Sequence, residues 1–301
     1  MDFFPGFKRF HIATSGAEIN GVVGGSGPPL LLLQGWPQTH LEWRHVAPVL
    51  AQRFTVVATD LRGYGDSSKP PGGENHAGYS KRAMAQDQVE VMRQLGFEWF
   101  NLVGHDRGGR VACRLALDHP QTVLRLALDH PQSVTRLALL DIVPTRTVYT
   151  QVSKNLATWY FHWFFLIQPE PLPEMLLGSH AEPFLRNFAF RGLIPHAIEE
   201  PVFAEYVRCF ANPQTLHAMC EDYRAGASID LQHDEADLGT QLACPTLVLW
   251  GVHGAMHRLF DVLETWRPRA PAARGKALPA GHWLPEECPQ ELTEALLEFL
   301  A

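Results

Sequence analysis

The segment Gly104-His105-Asp106-Arg107-Gly108 sets a carboxylate between two glycines, after the apolar run FNLV and ahead of a helical stretch. That outline is a nucleophile elbow, in which the glycines let strand and helix approach closely and the sharp turn exposes the central side chain. An aspartate here could instead cap the helix, but the apolar strand before it and the partners described below favour a nucleophile. The residue type narrows the reaction. Serine attack on an sp3 carbon would leave an ether, whereas attack by Asp106 leaves an ester that water can cleave. Displacement at an alkyl carbon, in a halide or an epoxide, is therefore expected rather than acyl transfer.

Cleaving that ester needs a base. His282, in LPAGHWLPEE, follows the last expected strand, and position selects it among 15 histidines. Asp141, closing RLALLD, is the expected orienting acid, because the loop after the seventh strand, WGVHGAMH, opens without a carboxylate. The ester oxyanion needs two donors, and the backbone N–H groups of Trp36, in QGWP, and of Arg107 stand at suitable points. Gln34 precedes that glycine where histidine is common, a change of little consequence when backbone groups donate. Arg107 and Arg110 follow the nucleophile at a spacing that turns both toward one pocket. Two guanidinium forks suit a substrate carboxylate, and pairing with protein carboxylates is the structural alternative.

Such residues must be held by a framework. PPLLLLQGWP, FTVVATDLRG, FNLVGHDRG, RLALLDIVP, CPTLVLWG and ARGKALPAGHW are short apolar runs bounded by turn residues, which read as buried strands. Helical patterns at Ser80–Leu95 and Pro289–Ala301 alternate with them. The expected fold class is α/β, a mostly parallel central sheet with helices on both faces and reactive residues at the carboxyl ends of the strands. From about Pro144 to Ile229 the rhythm becomes helical and aromatic, as in TWYFHWFF, and reads as a helical cap inserted after the sixth strand. The core is then expected at 1–143 and 230–301, and the cap at 144–229.

Composition bounds the rest. A net charge of −7 without a basic stripe argues against nucleic acid. The amino terminus lacks a signal-peptide pattern, and no apolar run reaches membrane-spanning length. Five scattered cysteines without CxxC pairs suggest reduced thiols and a cytoplasmic location. No cofactor or metal is expected; His253 and His257 have metal-like spacing but lack a third partner.

One local feature stands apart. Residues 114–124, RLALDHPQTVL, recur as RLALDHPQSVT at 125–135, just before RLALLD. The duplication lies between the nucleophile and its acid, so Asp129 is the rival to Asp141 if the strand has shifted by one copy, and a displaced Asp141 would leave His282 without its orienting partner and the chain weakly active or non-catalytic. Pro120 is expected to end the helix that follows the elbow.

GHDRGGRVACRLALDHP, DLRGYGDSSKP, LLDIVPT, FHWFF, CEDYRAG and GHWLPEE together resemble the fluoroacetate (haloacetate) dehalogenases of the α/β-hydrolase superfamily, over nearly the whole chain. The resemblance implies an α/β-hydrolase fold. It also implies halide displacement from a haloacetate by Asp106, a small haloacid held by Arg107 and Arg110, and a homodimer. It further implies that His162, Trp163 and Tyr223 donate hydrogen bonds to the departing halide; alone, these would read as cap core. Within the same fold an epoxide hydrolase is the main rival, using cap tyrosines among Tyr160, Tyr206 and Tyr223, although paired arginines have no role with a neutral epoxide. A haloalkane dehalogenase meets the same objection. A non-catalytic receptor would be expected to lack part of the Asp106–His282–Asp141 set, and Asp106 excludes a serine esterase.

Overall fold

The computed structural model describes residues 2–120 and 135–301. Eight strands form one sheet in the order β1-β2-β4-β3-β5-β6-β7-β8. They are β1 (Lys8–Ala13), β2 (Glu18–Gly25), β3 (Pro29–Leu33), β4 (Thr55–Thr59), β5 (Asn101–His105), β6 (Leu137–Leu140), β7 (Thr246–Gly251) and β8 (Arg274–Leu278). Strands β3 to β8 pair in parallel, and β1 and β2 join the edge antiparallel. Every residue of β3, β5 and β6 is buried, as continuous apolar strands covered on both faces must be.

Six of the strands fall on the six apolar runs. The β1–β2 hairpin was not expected, because KRFHIA and EINGVVGG mix polar residues and glycines in the manner of a sheet edge.

Helix α1 (Lys81–Gln94) starts where the Ser80 hydroxyl accepts from Ala83 N–H. Helix α2 (Asp106–Asp118) leaves β5 directly and stops before Pro120, as its ring demands. Between β6 and β7 the described chain is helical. This insert includes α3 (Phe161–Phe165), α4 (Glu200–Phe210) and α5 (Pro213–Ala227). Asn212 opens α5 by accepting from the N–H groups of Gln214 and Thr215, with Pro213 at the first helical position. Helix α6 (Pro289–Leu300) closes the fold and buries Leu292, Leu296 and Leu300. The architecture is therefore a mostly parallel sheet flanked by helices, with a helical cap inserted after the sixth strand.

Asp129 and residues 121–134 of the duplication lie outside the described residues. The strand after them keeps its register, with Leu137–Leu140 paired to both β5 and β7. No helix among the described residues is long and apolar enough to cross a membrane.

Candidate active site

The elbow is built by close approach. A Cβ at Gly104 would stand 2.4 Å from the Gly108 carbonyl oxygen, and one at Gly108 would stand 2.4 Å from that of Leu33. Only glycine fits at either point, and the resulting turn holds Asp106 at φ 44°, in the left-handed region.

Asp106 is 4% exposed. Its Oδ1 accepts from Trp36 N–H at 3.2 Å, and its Oδ2 lies 3.9 Å from His282 Nε2. The other ring nitrogen of His282, Nδ1, donates to Asp141 Oδ2 at 2.5 Å. Asp141 itself sits just past β6, and its Oδ1 accepts from Gly251 N–H at 3.0 Å. The three residues expected to form the hydrolytic set thus meet at the carboxyl ends of β5, β6 and β8. Burial alone would raise the Asp106 pKa, but the charges of His282, Arg110, Arg107 and His105 hold it below the ordinary carboxylate value.

The two arginines have different fates. Arg107 donates Nε and Nη2 to the Asp222 side chain at 2.8 and 2.7 Å, and Nη2 also to its carbonyl. Lys81 and Tyr64 bond the same carboxylate, so Asp222, entirely buried, is saturated. The structural alternative therefore holds for most of the Arg107 guanidinium, leaving Nη1 without a hydrogen bond among the described residues. Arg110 ties Nη1 to the Val143 carbonyl and the Thr145 hydroxyl at 3.0 and 2.9 Å. Its Nε is buried without a partner.

His162 on α3 and Tyr223 on α5 pack against Trp36, and Trp163 on α3 packs against Tyr223. The Trp36 and His162 rings stack at 4.8 Å, and Tyr223 meets Trp36, His162 and Trp163 edge-on at 5.7–5.8 Å. Arg107 lies over the Tyr223 ring and Arg110 over the Trp163 ring. Four polar atoms of this cluster, Trp36 Nε1, His162 Nδ1, Trp163 Nε1 and Tyr223 Oη, are buried without a partner. Burial pushes the His162 pKa down to about 3, against the pull of Asp106, so the ring is neutral.

A cavity of about 260 Å3 joins Asp106, Trp36, His162 and His282 to the surface past Tyr160, Phe188 and Trp159. Arg107, Arg110, Trp163 and Tyr223 are not among its lining residues. Arg110 borders a separate cavity of about 150 Å3, together with Arg114 and Asp230. Tyr206 is also outside the site, donating its hydroxyl to Glu286. No group of three or more His, Cys, Asp or Glu among the described residues could hold a metal ion.

Sequence reasoning missed His105 and Glu42. His105 Nδ1 meets Glu42 Oε2 at 3.2 Å, and Nε2 donates to the His282 carbonyl at 2.9 Å. Two acceptors on two ring nitrogens call for the doubly protonated ring. Burial opposes that charge, but Glu42, with Asp106 and Asp141, pushes the His105 pKa up to about 9. Glu42 Oε2 also accepts from Gly35 N–H, so one buried ion pair links the elbow, the Trp36 loop and the His282 loop.

A family model described as alpha/beta hydrolase fold matches residues 28–289. A fluoroacetate dehalogenase from Burkholderia sp. is 46% identical over 99% of this chain and 95% of its own. A soluble epoxide hydrolase from Corynebacterium sp. (strain C12) is 34% identical, with 95% of each chain covered. The crystal structure of a Nostoc sp. PCC 7120 protein assigned to the α/β hydrolases has a TM-score of 0.92 at 53% identity, covering 98% of both chains.

Proposed function

This chain belongs to the α/β-hydrolase family, and from that premise we propose that it hydrolyses haloacetates to glycolate and halide through an ester on Asp106. The observation that carries this reading is the set of buried, unpartnered polar atoms packed around the elbow: Trp36 Nε1, His162 Nδ1, Trp163 Nε1 and Tyr223 Oη. An empty group of neutral donors suits a small anion that leaves the reacting carbon, and fluoride most of all, because it departs poorly unless hydrogen bonded.

Asp106 Oδ2, the oxygen free of the Trp36 N–H, attacks the α-carbon, and the halide leaves with the C–X electron pair toward those donors. Oδ1 becomes the ester carbonyl oxygen and already rests on Trp36 N–H. His282 then takes a proton from water, whose oxygen adds to the Asp106 carbonyl carbon. The charge falls on Oδ1, where Trp36 N–H and the N–H of Arg107 receive it. Collapse expels the glycolate alkoxide, which takes the proton back from His282, and the Asp106 carboxylic acid left behind releases the second water proton to solvent through His282, restoring the carboxylate. Asp141 keeps the Nδ1 proton on His282 and stabilises its cationic form. Arg110, through its unpartnered Nε, and Arg107, through Nη1, supply the charge that holds the substrate carboxylate. Residues 144–229 act as the cap that carries His162, Trp163 and Tyr223, while Trp36 comes from the core.

The test is fluoride and chloride release from fluoroacetate and chloroacetate, with Asp106→Asn as the control. Release by the wild-type chain and none by the variant is expected. A folded chain that releases no halide and carries no carboxymethyl adduct on Asp106 would sink the reading. In that case the unpartnered Tyr223 hydroxyl, with Tyr160 lining the cavity, favours epoxide opening instead, and diol formation from a small epoxide would be measured next.

A further inference from the structure

The cavity that reaches Asp106 is basic at its outer end. Arg191 and Arg258 both line it, and both are exposed. Their guanidinium groups lie over the Trp159 ring, at 5.9 and 5.2 Å from its centre, and Arg191 also lies 4.7 Å from the centre of Phe188. Trp159 is 43% exposed, so the indole forms an open shelf under two cations.

Neither arginine has a carboxylate partner among the described residues. Arg191 donates to the carbonyls of Thr158 and Trp159. Elsewhere on the surface, Arg146, Arg186, Arg208 and Arg267 each pair with an acidic side chain. Besides Asp106, the one carboxylate lining the cavity among the described residues is Glu287, and it accepts from the N–H groups of Gly281 and Ile194. The rim therefore keeps two uncompensated positive charges on a chain of net charge −7. The Arg191 charge reaches inward, helping to keep His162 neutral.

We propose that Arg191 and Arg258 form an outer carboxylate subsite that draws small anionic acids into the cavity ahead of Asp106. An anion approaching a negatively charged protein is repelled at long range, and two unpaired cations beside a low-dielectric opening reverse that field locally. The attraction acts over about one Debye length, roughly 8 Å at physiological ionic strength, so added salt weakens it. The proposal relies on the haloacid reading only for the identity of the anion.

Chloroacetate turnover is measured from low to high salt in the wild type, in Arg191→Gln/Arg258→Gln and in Arg191→Lys/Arg258→Lys. The glutamine pair is expected to raise KM roughly tenfold at low salt, leave kcat within about twofold and flatten the salt dependence. The lysine pair is expected to stay close to wild type. An unchanged KM in the glutamine pair would overturn the proposal, as would a lysine pair as impaired as the glutamine pair, which would assign the effect to packing instead of charge. Titrating chloroacetate into Asp106→Asn protein, with and without the glutamine pair, reads the same subsite without turnover. Arginine-dependent binding in a chain that releases no halide would keep the subsite and defeat the dehalogenation reading. Binding that ignores the arginines, or no binding at all, would defeat the subsite.

Discussion

Asp222 and Tyr223 are neighbours on α5, both fully buried, and the protein treats them in opposite ways. The Asp222 carboxylate is saturated by Arg107, Lys81 and Tyr64. The Tyr223 hydroxyl, one residue on, has no partner, and neither do the side-chain atoms of Trp36, His162 and Trp163 around it. A saturated buried cluster is part of what folds the chain. An open one costs stability, because its groups have lost water without gaining a bond, and it is tolerated where a ligand completes it. The two neighbours should therefore fail differently: removing Asp222 should unfold, and removing the Tyr223 hydroxyl should only slow turnover.

Asp222→Asn gives the largest effect. Arg107 would stay buried without its counter-charge and Lys81 would keep only Asp230, at 3.4 Å, a loss of about 3–5 kcal/mol. Urea unfolding followed by circular dichroism measures it. A loss under about 1 kcal/mol would mean that the cluster is not structural.

The His105–Glu42 pair lies beneath the elbow, bonded through Glu42 Oε2 while Oε1 is left without a partner, and it carries a pH signature. The folded pKa of His105, about 9, lies above its ordinary value of 6.5. The protonated ring is thus favoured by the folded state. Its contribution is complete below pH about 6.5 and is lost as pH rises through about 9, up to about 3 kcal/mol in all. Wild-type stability should fall across that window. His105→Asn should start lower and vary less, because it has no imidazole to titrate. Parallel pH profiles for the two proteins would remove His105 from the account.

On the open side, Tyr223→Phe should leave stability unchanged or slightly raised, since the lost hydroxyl had no partner. Fluoroacetate turnover should fall roughly tenfold, about 1.4 kcal/mol in the barrier. Chloroacetate should suffer less, because chloride leaves with weaker hydrogen bonding. Equal losses for both halides would place Tyr223 away from the leaving group.

The same contrast explains what could be read from the chain alone. The strands of the parallel sheet announce themselves as apolar runs, and the elbow, Asp141 and His282 follow from their places after those runs. Partners across the fold leave no such trace. Asp222 lies 115 residues beyond Arg107, and Glu42 lies 63 before His105, so no spacing rule joins them. One signal was available: an arginine beside the nucleophile at a buried turn needs a counter-charge, and CEDYRAG offers an acid next to Tyr223. The halide donors depended on the resemblance, because TWYFHWFF reads as core until a structure shows which ring atoms lack partners. Arg191 and Arg258, 67 residues apart on different segments, become a pair only through Trp159.

The smallest effect concerns the duplication. Its position between Asp106 and Asp141 suggested that an added copy could pull the acid from His282. The acid is held from elsewhere. Pairing on both sides holds β6, Gly251 N–H grips Asp141 Oδ1, and His282 Nδ1 grips Oδ2. None of these contacts comes from residues 121–134. Excising residues 125–135 leaves RLALDHPQTVL running straight into RLALLD and shortens the link between nucleophile and acid from 35 residues to 24. That is still enough for a helix, a turn and the next strand. Turnover should change by less than about twofold, because placement of the acid resides in the strand register rather than in loop length. Mass spectrometry during turnover sharpens the test: if excision abolishes a standing ester on Asp106 that the full chain accumulates, the duplication does disturb the hydrolytic half, and the register of β6 is not what holds Asp141 to its task.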